Sequence, residues 1–237
     1  MHDRRELLRL GLVASAGALL AGCQRQGRWK PLSKAELEGP PTRPLAGGSG
    51  RRTMPTGSTA SGVIARREWT QAQPAMALIN PMNGVERITI HHSAIASSGL
   101  RSKTDSARML ESIRRDHTGS RTDASGRNWA DIGYHYIIDP SGRVWEGRSV
   151  VYQGAHVRLN NENNLGIMMM GNFEEEQPTA EARAALDGFV GSQMKRYGVP
   201  VSRVFTHQEI MPTACPGRNL QRYMLATRGG RGALARA

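Results

Sequence analysis

The sequence predicts a single α/β domain, a central mixed β-sheet flanked by α-helices, and three observations predict it. Short strand patterns and longer helical patterns alternate along residues 63–227. One Asp-Pro-Ser-Gly turn joins two strands directly and so breaks a purely parallel order. Neither end of the chain carries either pattern, and of 237 residues, 38% hydrophobic and 22% charged, the remainder is enough for one good core.

RITIH at 87–91 alternates as a strand, with Ile88 and Ile90 on one face and Thr89 and His91 on the other; it runs out at Ser93-Ala94. Over residues 104–117, Ala107, Leu110, Ile113 and His117 fall three and four apart, which predicts a helix with a narrow apolar stripe. Residues 132–138 and 143–146 flank Asp139-Pro140-Ser141-Gly142, whose Asp-first, Pro-second, Gly-fourth order suits a type I turn in a hairpin. The apolar run at 165–170, bounded by Asn164 and Gly171, reads as a central buried strand. A second helix opens at Pro178-Thr179, carries Ala182, Leu186, Phe189, Val190, Met194 and Tyr197 on one side, and stops at Gly198 with Pro200 beyond. A strand over 201–206 then delivers His207.

The ends read differently. Arg4-Arg5 precedes an uncharged run at 10–20 and Leu20-Ala21-Gly22-Cys23. The run falls short of the ~20 apolar residues of a membrane-spanning helix. Residues 1–22 instead have the charged start, short apolar middle and small-residue end of an export signal. The last four positions resemble a bacterial lipobox, which implies lipidation at Cys23, and Arg4-Arg5 resembles a twin-arginine signal. The expectation is an exported protein, anchored to membrane on the periplasmic side of the cell envelope by acyl chains at Cys23. Residues 23–62, rich in Pro, Gly, Ser, Thr and Arg, read as a flexible basic tether, and residues 228–237, basic and Gly/Ala-rich, as a disordered tail. The two cysteines lie too far apart, and in contexts too different, for a disulfide framework. Net charge of +12 draws the chain to polyanions, but no basic or aromatic motif points to specific nucleic-acid binding, and much of the charge lies in the two ends.

The chemistry concentrates in VFTHQEIMPTACPG at 204–217. His207 and Cys215 are eight residues apart, the wrong spacing for one helical face but suited to a strand end and a loop that folds back. Imidazole and thiolate are both good zinc ligands, and two do not complete a site. Among the seven histidines, His117 and His135 sit where helix-end or sheet packing explains them, whereas His91 and His92 end a strand. Alternation puts only one of that pair on a given face, and spacing leaves the choice open.

Six stretches occur in a recognisable order: ARREW (65–69), ITIHHSA (88–94), WADIGYHYIIDPSGRVWEGR (129–148), GAHV (154–157), NNLGIMMMGNF (163–173) and THQEIMPTACPG (206–217). Together they resemble the peptidoglycan recognition and zinc amidase family over residues 64–220. The resemblance implies a central mixed sheet with helices around it, and Zn2+ held by His91, His207 and Cys215. Three protein ligands leave a fourth tetrahedral position open, as catalytic zinc sites do. Tyr134 matches the family's catalytic tyrosine, which would orient or deprotonate water or hydrogen-bond an oxyanion. Thr213, where family amidases carry Lys or Thr, would hydrogen-bond that oxyanion through its hydroxyl. Another branch has Glu where this chain has Met168, so that branch's carboxylate mechanism is not expected. His156 is expected to line the substrate groove, with Trp129, Arg148 and Asn172 at its border, and His92 and His135 to be structural. The connection TGSRTDASGRN at 118–128 is longer than the family's usual one.

The expected activity is hydrolysis of the amide between the lactyl group of muramic acid and the first L-Ala of the peptidoglycan stem peptide, by a monomer. The alternative is a module that binds peptidoglycan without cutting it. Family members that only bind typically lack the cysteine, and here Cys215 is present.

Overall fold

Strand β2 (Arg87–His92) lies between two parallel partners and fixes the frame. In the computed structural model, which describes residues 62–119 and 128–237, it belongs to one sheet with β1 (Val63–Ile64), β3 (Tyr136–Ile138), β4 (Val144–Glu146), β5 (Asn164–Met169) and β6 (Val204–Thr206). The order is β1-β4-β3-β5-β2-β6; β3 and β4 run antiparallel and every other pairing is parallel. The helices are α1 (Lys103–Gly119), α2 (Ala180–Tyr197), the single turn α3 (His207–Ile210) and α4 (Arg218–Arg228). The export signal with Cys23, the tether up to residue 61, and positions 120–127 of the long connection lie outside the described residues. Among the described residues no helix is long and apolar enough to cross a membrane.

The local signals act as their chemistry dictates. In the β3–β4 hairpin the Gly142 N–H donates to Asp139 O at 2.9 Å, with Gly142 at φ +77°, and the Asp139 carboxylate gathers Ser141 N–H, Arg143 N–H and Trp145 Nε1–H. The Thr179 side chain accepts the Ala182 N–H at the start of α2, a cap worth ~1 kcal/mol, and Gly198 in the left-handed region (φ 68°) closes the other end. Two boundaries differ from expectation. β3 begins at Tyr136 rather than 132 because Gly133 and Tyr134 spend their carbonyls on Ala155 N–H and Arg148 N–H. Val201–Arg203, expected as strand, closes a 3-10 turn after Pro200, with the Arg203 N–H on Pro200 O.

The expected disordered tail is corrected. Arg228 is the last residue of α4 and pairs with Glu209, and Leu234, in a final 3-10 turn (Leu234–Arg236), is 1% exposed within the main core. One leucine in a Gly/Ala-rich run buries enough apolar surface, about 1.5–3 kcal/mol, to hold the segment down.

The sheet's two faces are built differently. One presents Ile88 and Ile90 of β2, Leu165, Ile167 and Met169 of β5 and Ile138 of β3 to Leu186, Phe189 and Val190 of α2 and to Leu220 and Met224 of α4. On the other, Leu110 and Ile113 of α1, with Trp69, cover Ile137, Trp145 and Met168. Beyond α1 this second face carries Thr89, His91 and Gly166 in register on β2 and β5.

Candidate metal centre

β2 brings His91 to the sheet's second face near the strand's end, and the alternation sends His92 the other way, where its Nδ1 accepts the Phe173 N–H at 3.3 Å. β6 ends at Thr206, and α3 starts at once with His207. Glu209 holds that turn in place. It accepts the Thr206 N–H at 2.7 Å, the Gln221 amide, and both arms of the Arg228 guanidinium at 2.6 and 2.9 Å. The chain then folds back so that the Cys215 carbonyl takes the Gln208 N–H at 2.9 Å, which sets Cys215 beside His207.

One ligand atom from each of His91, His207 and Cys215 lies within 4.8 Å of the others. Cys215 Sγ is 3.6 Å from His91 Nδ1 and receives the His92 N–H at 3.5 Å; the His91 and His207 ring centroids are 4.7 Å apart. Burial pushes His91 well below the ordinary histidine range, and the imidazoles of His156, His207 and His92 further disfavour a positive charge there. Burial likewise takes His207 down to about 4 and pushes the Cys215 thiol up to about 12, against the His92 N–H, which favours the thiolate. The cluster is therefore two neutral imidazoles and a thiol short of positive charge. That donor set suits zinc, whose charge deprotonates a coordinating thiol. His207 Nε2 is also buried without a hydrogen-bond partner, an unusual state for a polar atom unless something else occupies it.

The other expected site residues divide into two groups. Tyr134 is half-buried with its ring 5.1 Å from that of His91, and the Thr213 hydroxyl oxygen accepts the Cys215 N–H at 3.2 Å, so both adjoin the cluster. Trp129 and Asn172 are half-buried, Trp129 with its ring 4.7 Å from His117. His156, expected to line the substrate groove, and Arg148, expected at its border, are both buried. Arg148 is 3% exposed, and its guanidinium donates to the carbonyls of Ile132, Gln153 and Asp131, stitching together the loops around Tyr134. His156 is 6% exposed and has a partner at each nitrogen, His91 Nε2 at 3.0 Å and Asn164 O at 3.1 Å. His135, expected to be structural, takes the Gly166 N–H on Nδ1 and faces Tyr152 O with Nε2.

Sequence reasoning passed over His117 as a neighbour of the site. From the last turn of α1 its Nδ1 accepts the Gly133 N–H at 3.0 Å, and its ring lies 5.7 Å from that of Tyr134. A polar residue at the end of an apolar helical stripe is the one sequence signal that pointed there.

A family model described as N-acetylmuramoyl-L-alanine amidase matches residues 81–218. Peptidoglycan-recognition protein SD of Drosophila melanogaster is 29% identical over 159 residues, 67% of this chain and 81% of that protein. N-acetylmuramoyl-L-alanine amidase of Homo sapiens is 29% identical over 130 residues, 54% of this chain but only 22% of that protein. Among solved structures, peptidoglycan recognition protein-LE in complex with tracheal cytotoxin, a monomeric diaminopimelic acid-type peptidoglycan, is 27% identical with a TM-score of 0.62, covering 70% of this chain and 94% of that one. The family match takes in more than half of the chain, and within it His91, Tyr134, His207 and Cys215 come together at one end of the sheet; the chain belongs to the N-acetylmuramoyl-L-alanine amidase family.

Proposed function

We propose that the protein is a zinc-dependent amidase that hydrolyses the bond between the lactyl group of muramic acid and L-Ala of the peptidoglycan stem peptide. The observation that carries this reading is Cys215 in reach of His91 and His207, which completes a three-ligand set of the catalytic kind. His91, His207 and Cys215 would hold the ion. Bound there, zinc supplies a Lewis acid and lowers the pKa of water to about 7.

The chain's own residues do the rest. The Tyr134 phenol, beside His91, orients the attacking water or donates to the oxyanion. Thr213 accepts the Cys215 N–H on its oxygen, which leaves the hydroxyl proton available to an oxyanion. The His92 N–H supports the thiolate. Met168, beside His91 in the register, offers no carboxylate, so proton handling falls to the phenol rather than to an acid on β5. The solved relative bound to a peptidoglycan fragment supports the same substrate class here. The lipobox supports anchoring at Cys23, with the enzyme acting as a monomer from the membrane onto the wall.

Binding without cutting is the second reading, because relatives matched over most of their length are named for recognition. Release of stem peptides from purified cell wall separates the two. The zinc-loaded protein releases them and Cys215→Ser does not. Release by Cys215→Ser at the wild-type rate, or wall binding by the wild type with no release, sinks the amidase reading.

A further inference from the structure

We propose that His156 is a positioning residue: lodged behind His91, it fixes which nitrogen of the His91 ring faces Cys215 and His207, and through that the affinity of the centre for zinc. The inference rests on the zinc reading above. The hydrogen bonds run in one direction only. A backbone carbonyl can only accept, so the 3.1 Å contact with Asn164 O makes Nε2 the protonated nitrogen of His156. His156 Nδ1 is then a lone pair 3.0 Å from His91 Nε2, which must carry the proton between them. That leaves the lone pair of His91 on Nδ1, the atom 3.6 Å from Cys215 Sγ. The backbone of β5 thus sets the tautomer of a residue on β2, through one side chain from the loop before β5.

The slot for this ring is built rather than incidental. A Cβ on Gly154 or on Gly166 would collide with the His156 ring, so both positions are held open for it. The loop itself is pinned by Asn161 Oδ1, which accepts the N–H groups of His156 and Val157, each at 2.9 Å. The strand end that supplies the carbonyl is pinned in turn, because the Asn164 side chain accepts the Thr89 hydroxyl at 2.8 Å and donates to Asn160 O at 2.7 Å. Any buried histidine needs partners at its nitrogens, and what is particular to this histidine is that one of the two is His91. A histidine present to touch substrate would need an exposed edge, and His156 is 6% exposed.

The test is zinc affinity of the whole chain, measured by competition with a chelating dye, alongside ring tautomers read from nitrogen resonances. His156→Leu fills the slot without a nitrogen and is expected to bind zinc roughly 10–100-fold more weakly, the usual cost of losing an outer partner of a metal ligand. His156→Asn places an acceptor oxygen near the position of Nδ1 and is expected to recover most of that loss, with both variants melting close to the wild type. In the wild type both rings are expected to be protonated at Nε2. Two results overturn the proposal: His156→Leu binding zinc as the wild type does while KM for a defined muropeptide rises, or His156→Asn binding as weakly as His156→Leu with the fold intact. A wild-type protein that binds no zinc overturns the underlying reading as well, and that outcome is separable from the other two.

Discussion

Ile90 and His91 are adjacent in β2 and serve opposite purposes. Ile90 packs in the apolar cluster that α2 and α4 close, so its burial contributes stability. His91 faces the side that α1 covers only over β3, β4 and Met168, and there buried polar groups must find one another. Thr89 finds Asn164, His135 finds Gly166 and Tyr152, and His156 finds His91 and Asn164. His207 Nε2, beside His91 and Cys215, finds none. The difference teaches where a ligand belongs. The apolar face is held by packing, whereas the polar face sets the unpartnered His207 nitrogen beside His91 and Cys215.

Substitutions on the two faces therefore have different readouts. The largest effect is expected for Cys215→Ser. It should leave the melting temperature of the metal-free protein close to the wild type but abolish zinc binding and stem-peptide release, as metal analysis and wall digestion will report. Tyr134→Phe should retain zinc and lower kcat by roughly 10²-fold, the lower end of what a positioned proton carrier contributes. Zinc loss in Tyr134→Phe would instead make the phenol part of the metal's support. On the opposite face, Ile90→Val should cost about 1 kcal/mol in denaturant unfolding and leave zinc affinity unchanged. A coupled loss of zinc there would show that the faces are not independent.

The smallest effect concerns the anchor of α3. Burial pushes the Glu209 carboxyl up, but hydrogen bonds and charge from Arg228, with the Thr206 N–H and the Gln221 amide, outweigh it and hold the group below its ordinary 4.5. A group whose folded value is depressed adds stability above its unfolded value, and that stability is lost as pH falls through the folded one. Melting curves taken from neutral pH down through 4.5 should show the wild type losing stability that Glu209→Gln lacks from the outset.

Much of the apolar face was legible in the sequence because its causes are local. The period of two in β2, the Asp-Pro-Ser-Gly turn and the Thr179 and Gly198 caps each act within a few residues of themselves. The ligand set came from resemblance rather than from spacing, since His91 and Cys215 are 124 residues apart and meet only through the crossover from β2 to β6. His156 and Arg148 were misplaced for a related reason. Polar residues in loops ordinarily face water, and what buries these two is distant: the bare backbone of Gly166 for His156 and three loop carbonyls for Arg148. Leu234 was hidden by the composition around it.

The central claim is that these residues cut a particular amide, and a defined muropeptide tests it most directly. The zinc-loaded protein is incubated with a muropeptide of known stem, and the products are identified by mass. The account predicts a disaccharide bearing a free lactyl carboxylate together with a stem peptide whose N-terminus is free L-Ala. Recovery of the intact muropeptide, bound but uncut by fully zinc-loaded protein, would contradict it.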